Sequence, residues 1–140
     1  MNRSLKAVAA LSFAIASFAI YATRAEDKTE NRIFEMRTYY AAPGKMDALN
    51  ARFRDHTCKF FKKHNITIVG FWTPTDPENA KQQLVYLLAF PNQEAAAKSW
   101  KNFRADPEWT AAKEASEKYG KIVEKIESVY LNPTDYSPLK

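Results

Sequence analysis

Three side chains in one short segment could do chemistry together. Glu35, Arg37 and Tyr39 recur at a spacing of two, which in an extended strand puts them on one face. A carboxylate, a guanidinium and a phenol so placed can anchor an acidic or hydrogen-bonding ligand, with Glu35 as a proton acceptor. Burying either charge alone is costly, so an ion pair between Glu35 and Arg37 is the competing reading. His56 is the second candidate. It falls in the stripe Met46, Leu49, Phe53, His56, Phe60 and is therefore expected to point inward. There an imidazole could move a proton or ligate iron, or simply be satisfied by a backbone carbonyl or by Glu35. Trp72, Tyr86 and Tyr130 are expected to join Tyr39 as walls for a flat ligand, although aromatic residues build cores equally well.

Other chemistries lack a pattern. His56 and His64 lie eight apart with no cysteine or carboxylate at ligand spacing, so no metal site is expected. The serines form no nucleophile elbow and the three glycines form no phosphate loop, which removes the hydrolase and nucleotide-dependent classes. Trp100, Phe103 and Trp109 sit at helical spacing and read as core. Cys58 is the single cysteine, so the core holds by packing with no internal disulfide.

The elements that must position these residues can be read from pattern and punctuation. Arg32 to Tyr40 is a strand stopped by Pro43-Gly44. Lys45 to Lys63 is a long helix, with Lys62, Lys63 and His64 at the negative end of its dipole and Asn65 as a left-handed stop. Ile66 to Thr73 and Gln82 to Phe90 are strands joined through Pro74-Thr75-Asp76-Pro77. Asn92 caps a helix through Phe103, and Asp106-Pro107-Glu108 opens a second, shorter one that stops at Gly120. Lys121 to Leu131 is the last strand, and residues 132–140 form a tail containing prolines. The order β-α-β-β-α-β, with the second helical region broken in two, is the ferredoxin-like plan of an α+β protein: an antiparallel sheet with helices on one face.

Both faces of the middle strands are apolar. Leu84, Tyr86, Leu88 and Phe90 share one face and Val85, Leu87 and Ala89 the other, while Val69 and Phe71 oppose Ile66, Ile68 and Trp72. Helices cover one face only, so the second needs another cover. A second copy, sheet against sheet, is the expected cover, with a longer loop or the C-terminal tail as the alternative. In the first strand, Phe34 and Met36 are the expected helix-facing residues, which sends Glu35 and Arg37 into the space between the two sheets.

The first residues form a separate object. Arg3 and Lys6 precede the uncharged run Ala7 to Thr23, and Ala25 offers a small-residue exit. This reads as a signal peptide over residues 1–25, followed by a lead-in over 26–31 and a single domain over 32–140. An uncleaved anchor, the only expected link to a membrane, and a mitochondrial presequence are the alternatives, the latter disfavoured because Ala7 to Ile20 carries no charge on any face. Removing Arg3, Lys6 and Arg24 from the 21 basic residues leaves 18 against 16 acidic ones. The high isoelectric point thus belongs largely to the leader, and a nucleic-acid partner is not expected.

In order along the chain stand Phe34-Glu35-Met36-Arg37-Thr38-Tyr39 with Pro43-Gly44-Lys45, Phe53-Arg54-Asp55-His56-Thr57, Lys63-His64, Val69-Gly70-Phe71-Trp72-Thr73 and Leu84-Val85-Tyr86-Leu87-Leu88. Trp100, Phe103-Arg104-Ala105-Asp106-Pro107-Glu108-Trp109 and Pro133-Thr134-Asp135-Tyr136-Ser137-Pro138 complete the set. In these segments the chain resembles the NIPSNAP family. The resemblance implies a dimeric α/β barrel and no common reaction. The resulting expectation is an exported (periplasmic or secreted) homodimer binding a small flat or hydrophobic ligand between its sheets. Glu35, Arg37, Tyr39, His56, Trp72 and Tyr86 would form the site, without a cofactor. The alternatives are a cofactor-independent monooxygenase or haem-degrading enzyme with His56 as ligand or base, and an interaction module without ligand.

Overall fold

The structure, a computed structural model, describes residues 32–140. The leader and lead-in expected over residues 1–31 lie outside them. Strand β1 (Ile33–Ala41) is followed by helix α1 (Met46–Arg52), a π-helical turn (Phe53–Thr57) and α2 (Cys58–Lys63). Then come β2 (Thr67–Trp72), the single turn α3 (Pro77–Ala80), β3 (Gln83–Phe90), α4 (Gln93–Ala105), α5 (Pro107–Ser116) and β4 (Val123–Leu131). All strand pairs are antiparallel and the sheet order is β2-β3-β1-β4, so the ferredoxin-like plan expected from the element order is the observed one.

The punctuation works as its chemistry requires. Asn65 stops α2 with φ of 57°. Asn92 accepts the Ala95 amide at 2.9 Å. Asp106 accepts the Glu108 and Trp109 amides at the start of α5, behind Pro107. These side chains occupy donors that a helix start leaves without partners.

Three expectations about facing fail. In β1 the phase is reversed: Glu35, Arg37 and Tyr39 pair with Leu88, Tyr86 and Leu84 on the helix-covered face. Phe34 and Met36 lie on the open face instead. His56, expected inward, is exposed. The π-helical turn takes more than four residues per turn, so the position stacked under Phe53 is Thr57, which is buried and donates its hydroxyl to the Arg52 carbonyl at 3.2 Å. In β2 the register shifts between Ile68 and Gly70. This bulge keeps Phe71 with Ile66 and Ile68 over the core and turns Trp72 to the open face, at 53% exposure. Gly70 makes that possible: a Cβ there would meet the Trp72 ring at 2.7 Å.

The core lies between the sheet and the helices, and aromatic rings dominate it. Tyr86 contacts the rings of Tyr39, Phe53, Phe61 and Phe71, and Phe61 continues to Trp100 and Phe103. Edge-on and tilted contacts of this kind add to the burial of apolar area. On the open face the tail covers one end. Residues of 132–139 lie beside Phe34, Leu87 and Leu131, and Arg32 Nε donates to the Lys140 carbonyl at 2.7 Å. Phe34 is buried there, while Met36, Val69, Trp72 and Val129 stay exposed.

Candidate functional site

Glu35 is the centre of the polar constellation. Its side chain sits in the core at 1% exposure and accepts three hydrogen bonds. They come from Arg37 Nη1 at 2.6 Å, Ser128 Oγ at 2.6 Å and Trp100 Nε1 at 2.5 Å. The donors arrive from β1 itself, from β4 beside it and from α4 above. A buried carboxylate is tolerated when such charge-assisted bonds replace its lost hydration. Arg37 is additionally laid over the Trp100 ring, 4.5 Å from its centroid. Burial alone would lower the guanidinium's proton affinity. Tyr86, Tyr39 and Glu35 around it outweigh that and hold it firmly protonated. Burial likewise pushes the Tyr86 phenol well up, and burial with the Glu35 charge pushes up Tyr130. Both phenols are therefore hydrogen-bonding groups near neutral pH, not phenolates.

Beside this constellation the helices stand away from β4. Two adjoining cavities, of about 390 and 330 Å³, share Tyr39, Phe103, Trp109, Lys113 and Ile126. Together they form a cleft with a floor of β1 and β4 and a roof of α4 and α5. Arg37 and Trp100 line the first cavity, and Arg52 and Thr57 the second. Among the described residues, three buried side-chain atoms have no hydrogen-bond partner: Arg37 Nε, Arg52 Nε and Tyr86 Oη. Arg37 and Arg52 line the cleft, and Tyr86 packs against Tyr39 and Phe53 of its wall. Polar groups left without partners in a core are costly, and two of these three atoms, Arg37 Nε and Arg52 Nε, belong to side chains that line this cleft.

Of the expected site residues, the structure brings together Glu35, Arg37, Tyr39 and Tyr86. It places them between sheet and helices within one chain, not between two sheets. Trp72 lies on the opposite face of the sheet, and His56 lines neither cavity of the cleft. Tyr130 stands across from Glu35 on β4. The haem reading loses the imidazole assigned to it. His64 is engaged elsewhere, 2.6 Å from Asp106, which also pairs with Lys63. Hydrogen bonding from Lys63 leads the effects that hold the Asp106 carboxyl well below its usual range, with His64 and two amides adding to it. The Cys58 thiol is half-buried and pushed up by that burial, so it is not an activated nucleophile.

Three participants carry little signal in the sequence. Trp100 reads as core and is core, but a buried indole N–H needs an acceptor, and that requirement is the available clue. Ser128 gives no signal beyond a small polar residue in a strand. Arg52 sits beside Phe53 in a helix where a charge would ordinarily be solvated.

The sequence model of the NIPSNAP family matches residues 34–138. A comparison with curated proteins returned no match. Among solved structures, a NIPSNAP family protein of unknown function from Agrobacterium tumefaciens is 23% identical, with a TM-score of 0.69. The match covers 80% of this chain and 96% of that one. A NIPSNAP domain protein from Burkholderia xenovorans is 24% identical over 76% of this chain and 98% of that one, with a TM-score of 0.64. More distant in sequence is a monooxygenase from Streptomyces coelicolor, solved with the ligand nanaomycin D. It shares 12% identity over 75% of this chain and 89% of that one, at a TM-score of 0.50. These likenesses show the fold, and the family match spans nearly the whole domain, so the chain belongs to the NIPSNAP family.

Proposed function

We propose that the protein binds a small, flat aromatic ligand carrying a hydroxyl or carbonyl oxygen, and that it does so in the cleft between the sheet and helices α4 and α5. The observation that carries this reading is the buried Arg37 Nε, a donor without a partner on a side chain that lines the aromatic cleft. A few convergent polar groups in an otherwise apolar pocket are the usual form of a small-molecule site. Glu35 serves this site by positioning. Its oxygens are already engaged by three donors, one of them Arg37, which it orients. Binding is therefore favoured over the monooxygenase alternative, for which the shared fold is the support. 2-Naphthol is a suitable probe because Trp100 and Trp109 line the cleft. It should quench their fluorescence saturably, and Arg37→Gln should weaken binding about tenfold. A quench that rises linearly without saturation would sink the reading.

The open face supports a second part of this proposal, a homodimer formed sheet to sheet. Met36, Trp72 and Val129 are large apolar side chains left exposed on that face, and apolar residues gathered on one face commonly mark an interaction surface. Sedimentation at micromolar concentration should give twice the mass of one chain, and Val129→Lys should give single chains. A wild-type protein that sediments as a monomer contradicts the dimer.

A further inference from the structure

The cleft has a second polar end. Its floor is built from pairs across β1 and β4: Arg37 with Ser128, Tyr39 with Ile126, then Ala41 with Val123. The first cavity holds Arg37, Tyr39 and Ile126, and the second holds Tyr39, Ile126 and Val123. The two are thus displaced along the strands by one step of two residues, about 7 Å.

The two ends are built alike. Arg52 has a side chain only 4% exposed and spends Nη1 on Glu117 at 3.0 Å and on Ser116 Oγ at 3.5 Å. Its Nε has no partner, as at Arg37. A guanidinium presents two donors side by side along each edge, so at both ends the edge containing Nε is left for an acceptor. Around the Arg52 end stand Lys113, Lys121 and Lys125 with Glu117 and Glu124, and Lys125 is paired outward with Glu127 at 2.5 Å. Glu117 already serves both Arg52 and Lys113. Lys121 forms no ion pair among the described residues.

We propose that Arg52 and Lys121 form an anion subsite, so that the ligand class is an aromatic acid. Its hydroxyl or carbonyl oxygen would lie at Arg37, its ring system between Tyr39, Phe103 and Trp109, and its carboxylate at Arg52. The inference rests on the cleft being the ligand site. It adds a second fixed point, which sets both the length and the direction of the ligand. A purely internal Arg52–Glu117 strut explains neither the Nε edge without a partner nor Lys121, which stands beside it without an ion pair among the described residues.

The test compares 2-naphthol with 6-hydroxy-2-naphthoate, which adds a carboxylate at the far end of the same two rings. With the wild-type chain the carboxylate should tighten binding about tenfold or more, the usual size of a charge-assisted contact. In Arg52→Gln the ratio of the two affinities should fall toward one. Lys121→Glu changes an exposed side chain and should lower that ratio several-fold, so it decides the matter if Arg52→Gln does not fold. Saturable 2-naphthol binding with no gain from the carboxylate, or a gain that both variants leave intact, overturns the subsite and leaves the cleft standing. If neither probe binds saturably, the cleft itself fails and the subsite with it.

Discussion

Glu35→Ala should unfold at a markedly lower urea concentration than the wild type, with a loss of about 3–5 kcal/mol, the usual cost of breaking a buried ion pair from one side. The substitution removes one acceptor and strands three donors. Arg37 Nη1, Ser128 Oγ and Trp100 Nε1 all point at that carboxylate, and the site lies too deep for water to replace it freely. A domain of this size has about 5–15 kcal/mol of stability in total, so the variant approaches the limit of folding at ambient temperature. Glu35→Gln keeps one acceptor oxygen and should lose less. The double variant Glu35→Ala/Arg37→Met should recover part of the loss, because it removes the stranded charge as well. A loss below about 1 kcal/mol in Glu35→Ala would mean that the three bonds add nothing beyond their desolvation cost.

Phe61→Ala should cost a similar amount, about 3–5 kcal/mol, as truncation of a fully buried phenyl ring does. Phe61 is 1% exposed and contacts the rings of Phe53, Tyr86, Trp100 and Phe103. It thereby joins the sheet to α4 through a single side chain, and its removal leaves a hole bordered by four aromatic rings. His56→Ala, five positions earlier on the same run, should stay within about 0.5 kcal/mol, as an exposed substitution does. Denaturant unfolding of the two variants side by side checks the helix phase directly. A large effect at His56 with a small one at Phe61 would contradict the π-helical turn. The same result bears on the site, because that turn buries Phe53 and Thr57, which line the cleft.

Much of the molecule is legible in the order of its amino acids. The order of elements follows from periodicity and punctuation. Asn65, Asn92 and Asp106 all cap or stop helices as their side-chain chemistry demands. The ordered family segments, from Phe34 to Pro138, correspond closely to the matched span of 34–138. That Glu35, Arg37 and Tyr39 share a face also follows from the spacing of two, since the pleat alternates whatever else the chain does.

Only the tertiary structure decided which face that was. Alternation tells which residues go together, while hydrophobicity assigns the pair Phe34 and Met36 to the core more readily than Glu35 and Arg37. The assignment is reversed because Trp100 and Ser128, 65 and 93 positions away from Glu35, supply the bonds that let a carboxylate lie inside. No local pattern carries that information. Likewise a single π-helical turn moved His56 out and Thr57 in, and a one-residue bulge before Gly70 turned Trp72 over. In a periodic element a shift of one residue changes the facing of everything after it. Composition, order and caps are therefore written in the sequence, while the placing of the site depends on long-range partners and two local changes of register.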